Sequence, residues 1–310
     1  MKVLIIKPSS FGDIIHALPC AATLKKIYHN CDISWVVFKM WTSVVRICPD
    51  IDKIIPWDRE RGLVGFFETL KKLSEEEYDL IIDLQGLLRS ALLAKFVKAK
   101  VKIGVPGMRE FSNLLIKEVY PQSANLNAML RNLEPIRFLT GKNYRPEINI
   151  KVNANVDKIL RDSKISREFI SLIPFARGKG KDWSIYNYHK LINLIKNKYF
   201  DMQILVLGAI KDFGKINSDN VVDLCGKTSI EELAAVLLKS KVNVGADTGP
   251  MHLSAVLQVP SVFIFRASDA NKTFPYIGKF SLFWNKNSHE DVDCCVKPND
   301  VFIEIKKWIK

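Results

Sequence analysis

Nowhere does this 310-residue sequence sustain the ~18 uninterrupted apolar residues that a membrane-spanning helix needs. Its six cysteines (Cys20, Cys31, Cys48, Cys225, Cys294 and Cys295) contain no Cys-x-x-Cys pair and no histidine at metal-binding distance along the chain. A metal site and a disulfide framework are therefore not expected; scattered, reduced core thiols in a cytoplasmic protein are. Internal repeats and low-complexity tracts are absent. Acidic residues are the charge in short supply: 33 Asp and Glu against 46 Lys and Arg leave a net charge of +13. Such an excess calls for an acidic partner, whether nucleic acid, an anionic membrane face or a phosphorylated substrate. An export signal is also missing. The start imitates one, down to the ALPC ending at Cys20, but the apolar run between Lys2 and Lys7 is only VLII, and Asp13 interrupts its continuation.

What is present is an ordinary globular composition, 48% hydrophobic and 25% charged, long enough for two domains of ~100–200 residues each. Short β-branched runs alternate with helical patterns. Strands are predicted at 2–7, 33–38, 52–57, 78–84 and 101–105, then at 169–174, 202–208, 220–225, 241–246 and 260–265. Helical periodicity is clearest at 14–28, 87–98, 126–139, 185–198, 229–239 and 250–257. This alternation predicts an α/β protein built on parallel sheets covered on both faces. It breaks at the polar stretch Gly141–Asn155, where a linker is expected. The predicted units are therefore 1–145 and 155–298, with a closing helix in 299–310 that should pack back toward the first domain.

Four stretches carry polar chemistry at strand ends. In KVLIIKPSSFGDIIHALP, Asp13 stands where a helix begins, so it is either a cap for orphan backbone N–H groups or a catalytic carboxylate. In DLQGLLRSALLAKF, Asp83 suits a cap or turn. Gln85 and Arg89 are candidates to face a ligand, with a solvated Arg89 the plain alternative. In PFARGKGKDWS, Arg177, Lys179 and Lys181 sit on a Gly-rich loop that can bind phosphate oxygens or simply be solvated. In VNVGADTGPMHLSAVLQVP, a strand ends at Ala246, Asp247-Thr248-Gly249 turns, and Pro250 opens a helix. The free N–H groups there suit a diphosphate, and Gly249 permits close backbone approach. Thr248 adds a hydroxyl. His252 is either a ligand-facing group or a packing residue of that helix.

In that order and spacing, KPSSFGDIIHALP, DLQGLLRSA, KGKDW and DTGPMHLSAVLQVP resemble the ADP-heptose:lipopolysaccharide heptosyltransferases. These are inverting glycosyltransferases of the GT-B fold, two Rossmann-like parallel-sheet domains facing a cleft. The resemblance spans nearly the whole chain. DLQGLLRSA, GVPGMREFSNLL (104–115) and NAMLRNLEPIRFL (127–139) are more similar to type I enzymes, which add the first heptose to Kdo, than to type II.

The resemblance implies roles residue by residue. Asp13 would be the general base that deprotonates the acceptor hydroxyl, as single displacement with inversion requires. Lys181 would stabilise the leaving diphosphate. Asp247, Thr248, Gly249 and His252 would bind the donor, ADP-heptose, with Asp212 near the ribose and Arg177 on the phosphates. Arg59, Arg61, Ser10 and Gln85 would face the acceptor, Kdo-lipid A. Three departures stand out: Ala176–Arg177 in place of hydroxyl-bearing residues, FRASDA (265–270) in place of Phe-Gly-Pro-Thr-Asp-Pro, and Asn127 in place of a histidine. The expectation is thus a cytoplasmic, metal- and cofactor-independent heptosyltransferase at the anionic inner face of the inner membrane. The rivals are a family member with another acceptor and a non-catalytic basic nucleotide- or nucleic-acid-binding module. No RNA-binding signature or base-stacking motif supports nucleic acid as a partner. A two-domain sugar-nucleotide epimerase shares the architecture but would need carboxylates of its own.

Overall fold

The computed structural model describes residues 1–178, 180–209, 213–214, 218–284 and 296–309. The chain divides into two compact units, Met1–Lys151 and Val152–Lys310, the division falling within the polar stretch 141–155. In the first unit the described strands are β1 (Lys2–Ile6), β2 (Asp32–Phe38), β3 (Lys53–Trp57), β4 (Tyr78–Asp83), β5 (Ala99–Gly104) and β6 (Lys117–Glu118). Its helices are α1 (Phe11–Ala17), α2 (Pro19–Ile27), α3 (Thr42–Arg46), α4 (Gly62–Leu73), α5 (Leu88–Phe96) and α6 (Ala128–Thr140). The second unit holds β7 (Phe169–Ile173), β8 (Gln203–Val206), β9 (Val221–Asp223), β10 (Asn243–Ala246), β11 (Ser261–Phe265) and β12 (Phe280–Trp284). Its helices are α7 (Val156–Asp162), α8 (Ile185–Lys198), α9 (Ile230–Lys239), α10 (Gly249–Val256), α11 (Ala270–Thr273) and α12 (Pro298–Trp308).

Each unit is one parallel sheet. The strand orders are β3-β2-β1-β4-β5-β6 and β12-β11-β10-β7-β8-β9. Taken in chain order within each unit, the two orders are the same, so the doubly wound arrangement occurs twice. Parallel strands covered by helices on both faces must be apolar throughout. The central strands obey: β7, β10 and β11 are buried along their whole length, and β1 everywhere except Lys2. In such sheets the chain reverses its winding direction at one strand pair, and ligands bind beyond the carboxyl ends there. Here those pairs are β1 with β4 and β7 with β10.

Beyond the short strands β6 and β12, two helical regions stand apart from the sequence-based expectation. The pattern 14–28 is two helices, because Pro19 cannot donate a backbone hydrogen bond and opens α2 instead. Helix α4 went unpredicted, its apolar run LVGFF masking a helical period. The closing helix α12 packs on the second unit's own core. Val301 and Ile305 of α12 are fully buried with Trp183, Tyr188 and Ile192. Among the described residues, no helix is long and apolar enough to cross a membrane. Cys20, Cys31, Cys48 and Cys225 are free thiols; Cys294 and Cys295 lie outside the described residues.

Close packing at the second winding reversal depends on Gly245. A β-carbon there would stand 2.6 Å from the Ile173 carbonyl oxygen and 2.9 Å from Met251 Cγ. Gly245→Ala should therefore force β10 from β7 and cost about 1–3 kcal/mol. Urea denaturation of the purified variant measures this, and a midpoint equal to wild type would refute the packing account.

Candidate active-site groups in each unit

In the first unit, β1 runs out at Ile6 and delivers Lys7 into the interior. Lys7 is 7% exposed, and its ammonium donates to the Leu84 carbonyl oxygen at 2.9 Å. The chain then turns through Pro8–Ser10 into α1, with Ser10 at the N-cap and Asp13 in the first turn. Asp13 Oδ2 accepts from the Ser10 hydroxyl at 2.6 Å and from the Ser10 backbone N–H at 3.1 Å. Asp13 therefore does cap α1 by reaching back to the N-cap N–H. It also keeps an exposed face. The protein mass around it pushes its pKa up, but the Lys7 charge, the two Ser10 hydrogen bonds and His16 outweigh that and hold it below the ordinary carboxylate value. Burial conversely lowers the pKa of Lys7, opposed by Asp13.

Across the winding reversal, Asp83 ends β4 fully buried. Its Oδ1 accepts from the backbone N–H of Gln85 at 2.9 Å and of Gly86 at 3.1 Å; its Oδ2 accepts from the Ser90 hydroxyl at 2.8 Å. Asp83 is thus the turn former that shapes the loop bearing Gln85. Burial, the largest influence, raises its pKa to about 6. Gln85 is half-buried and its amide oxygen accepts no hydrogen bond among the described residues. Arg59 and Arg61, two positions apart in sequence, part company. Arg61 pairs with Glu68 on α4 at 2.5 Å, whereas the Arg59 guanidinium lies over the Phe38 ring, 5.6 Å from its centroid.

In the second unit, Lys181 and Asp247 meet at the β7–β10 reversal. Lys181 Nζ is 2.6 Å from Asp247 Oδ2, and His252 Nε2 is 2.9 Å from Asp247 Oδ1. Burial alone would raise the Asp247 pKa. The hydrogen bonds and charges of His252 and Lys181 more than reverse this and leave it well below the ordinary carboxylate range. Thr248 caps α10 through the Met251 N–H, Gly249 is the first helical residue, and Pro250 follows where no N–H is needed. Arg177 lies exposed on the 174–184 loop, while Asp212 and Lys179 lie outside the described residues.

Several contributors escaped sequence reasoning. Lys7 is one; a lysine closing an apolar strand just before proline was its signal. Trp183 is fully buried and donates to the Val296 carbonyl oxygen at 3.1 Å, anchoring the loop that presents Lys181. Asp182 clasps the Ala176 N–H, and Arg266 of the atypical FRASDA segment donates to the Asp182 carbonyl. Gly178 leaves room for the Lys181 stem, whose Cδ would lie 2.8 Å from any β-carbon there. Arg131 on α6 reaches the Pro106 carbonyl with two nitrogens, at 2.9 and 2.6 Å, and lies within electrostatic range of Asp13 and Arg109. Asn127, standing where a histidine was the norm, caps α6 through the Met129 N–H at 3.0 Å.

With this geometry in hand, comparison with known proteins is informative. The sequence profile of glycosyltransferase family 9 (heptosyltransferase) matches residues 66–300. The lipopolysaccharide core heptosyltransferase OpsX of Haemophilus influenzae is 23% identical over 291 residues, covering 89% of this chain and 82% of its own length. Lipopolysaccharide heptosyltransferase 1 of Escherichia coli K12 is 25% identical over 293 residues, covering 87% and 89% respectively. Among solved structures, the E. coli ADP-heptose lps heptosyltransferase II aligns with a TM-score of 0.84 at 21% identity, over 99% of this chain and 98% of that one. E. coli heptosyltransferase WaaC with ADP aligns with a TM-score of 0.78 at 22% identity, over 99% of each. The fold is therefore the GT-B fold of the heptosyltransferases.

A carboxylate held ionised by its partners stabilises the fold above its unfolded pKa, and that contribution is lost as pH falls. Asp247 is such a group. Asp247→Asn should lower stability at pH 7 by about 1–3 kcal/mol, since it weakens two charged hydrogen bonds in a buried setting. It should also flatten the loss of wild-type stability below about pH 4, the unfolded carboxylate range. Thermal melts from pH 3 to 7 test both, and parallel curves for the two proteins would count against the Lys181–Asp247–His252 bridge.

Proposed function

This chain belongs to glycosyltransferase family 9, the heptosyltransferases, and from that premise we propose that it moves heptose from ADP-heptose to Kdo of the lipopolysaccharide inner core. The observation that carries the catalytic part of the reading is Asp13, ionised by Lys7 and aimed by Ser10 at the carboxyl end of β1. In the proposed reaction, Asp13 accepts the proton of the acceptor hydroxyl. That oxygen attacks the anomeric carbon on the face opposite ADP, the bond to the diphosphate breaks, and the configuration inverts. One further negative charge then develops on the departing diphosphate, which already carries two. Lys181 neutralises part of that charge, and the free N–H groups at the start of α10 suit the rest. An ammonium has three donors, so Lys181 can keep Asp247 while it engages a phosphate oxygen.

A base with a lowered pKa is a weak one in the resting enzyme. Its strength in the reacting complex would come from displaced water and the acceptor's own negative charge, both of which raise a carboxylate's pKa. Acidic sugar acceptors also match the net charge of +13, as does a peripheral position on the anionic inner face of the inner membrane. The resemblance of DLQGLLRSA and of the 104–115 segment to type I enzymes favours Kdo-lipid A as acceptor over an already heptosylated core.

Substituting Asp13 separates cap from base. Asn keeps an oxygen that can accept from Ser10 but cannot take a proton. Asp13→Asn should stay folded with a modestly lower Tm and keep its ADP affinity, while turnover on ADP-heptose and Kdo-lipid A falls by ~10²–10⁴-fold. Near-normal turnover would reduce Asp13 to a cap. Because the pKa lies below the usual ~3.9, wild-type kcat/KM should show no acid-side loss above about pH 4. Lys181→Ala should lower kcat on the order of a hundredfold with the fold intact, as expected for loss of charge stabilisation of a leaving group.

A further inference from the structure

A segment that departs from the family pattern, FRASDA (265–270), lies against the loop that bears Lys181. β11 ends at Phe265 and pairs in parallel with β10, so the chain leaves the sheet at residue 266 beside Asp247. Ala267 Cβ stands 3.6 Å from where a β-carbon on Gly180 would be. The half-buried Arg266 sends Nη1 to the Asp182 carbonyl oxygen, across 84 positions of sequence. Asp182 directly follows Lys181, and its carboxylate clasps the Ala176 N–H near the start of the loop. One residue thus receives a hydrogen bond from within the loop and another from the neighbouring strand end.

Such a loop needs holding. Gly178 and Gly180 precede Lys181, the latter at φ +76°, and glycine has more backbone freedom to lose than any other residue. The lysine stem adds rotatable bonds of its own. Its ammonium is nevertheless placed 2.6 Å from Asp247. Stabilising a leaving group depends on donors that are already in position when the charge develops. The resemblance puts glycine at 266 and proline at 267 and 270. Proline stiffens a loop through its ring. Arginine, alanine and alanine stand there instead. A guanidinium can hold a backbone carbonyl, which glycine has no side chain to reach, and a charged donor makes the stronger class of hydrogen bond.

We propose that Arg266 is a positioning residue for Lys181: it holds the Asp182 carbonyl so that the lysine meets the departing diphosphate, and it supplies by hydrogen bond the stiffness that proline would give. The inference rests on the reading that Lys181 neutralises the leaving group. Arg266→Ala should lower kcat about tenfold, since a small displacement of a catalytic group is costly, while KM for ADP-heptose changes by less than about threefold. Arg266→Lys, which keeps a charged donor, should recover part of the loss. On the Lys181→Ala background, Arg266→Ala should lower kcat no further, because the arginine acts only through the lysine. Hydrogen exchange reads the same loop without turnover. In Arg266→Ala the amides of Ala176 and Lys181 should exchange about tenfold faster, and those of α10 at the wild-type rate. A lower Tm with wild-type kcat, an equal fold-loss of kcat with and without Lys181, or unchanged exchange would each overturn the proposal. Should Lys181→Ala itself turn over at the wild-type rate, the leaving-group reading fails, while the exchange rates still decide whether Arg266 fixes the loop.

Discussion

The reversal of winding between β1 and β4, and again between β7 and β10, is the constraint from which both candidate sites follow. At these pairs the connections leave the sheet toward opposite faces, which opens a crevice above the carboxyl ends of two neighbouring strands. In the first unit it brings the Lys7–Asp13 segment beside the Asp83–Arg89 segment. In the second it brings the Lys181 loop beside Asp247 and His252. The strands beneath are buried on both faces, so the loops start from rigid points. A pair of side chains 66 positions apart in sequence, Lys181 and Asp247, can then be held at 2.6 Å.

Both units answer the same electrostatic problem in the same way. A carboxylate placed in a crowded crevice tends to protonate, because burial penalises its charge. Asp13 is kept ionised by Lys7 and Ser10, and Asp247 by His252 and Lys181. Where such compensation is weaker the outcome differs: Asp83, fully buried and served chiefly by neutral donors, rises to about 6. The first unit also carries cations beyond those its carboxylates use, in Arg59, Arg89, Arg109 and Arg131. That surplus suits the acidic acceptor in our functional reading.

The second unit shows how departures from a family pattern can be absorbed. FRASDA lacks the prolines expected in that segment, yet its Arg266 reaches the carbonyl of Asp182, and Asp269 caps α11. The segment is thereby tied to the loop that presents Lys181. Trp183 secures the other side of that loop in the core formed with α8 and α12. The same core takes in α12, whose Val301 and Ile305 are fully buried there.

Much of this protein could be read from its sequence, because apolar period and turn chemistry are local. Ten strand segments, the helices that alternate with them and the DTGP helix start follow from residues within a few positions of one another. The two strands left unread are β6, of two residues, and β12, whose FSLFW has little flanking turn signal. Helix α4 hid behind its run of consecutive apolar residues. What local pattern could not supply is any relation across the sheet. Asp13 reads equally as a cap or a base until the Lys7 ammonium, itself unremarkable in sequence, is seen buried in the same crevice. Arg59 and Arg61 look equivalent until one is found on Phe38 and the other on Glu68. Strand order is settled by burial of both sheet faces, which depends on the whole chain at once, and it is strand order that decides which charges become neighbours.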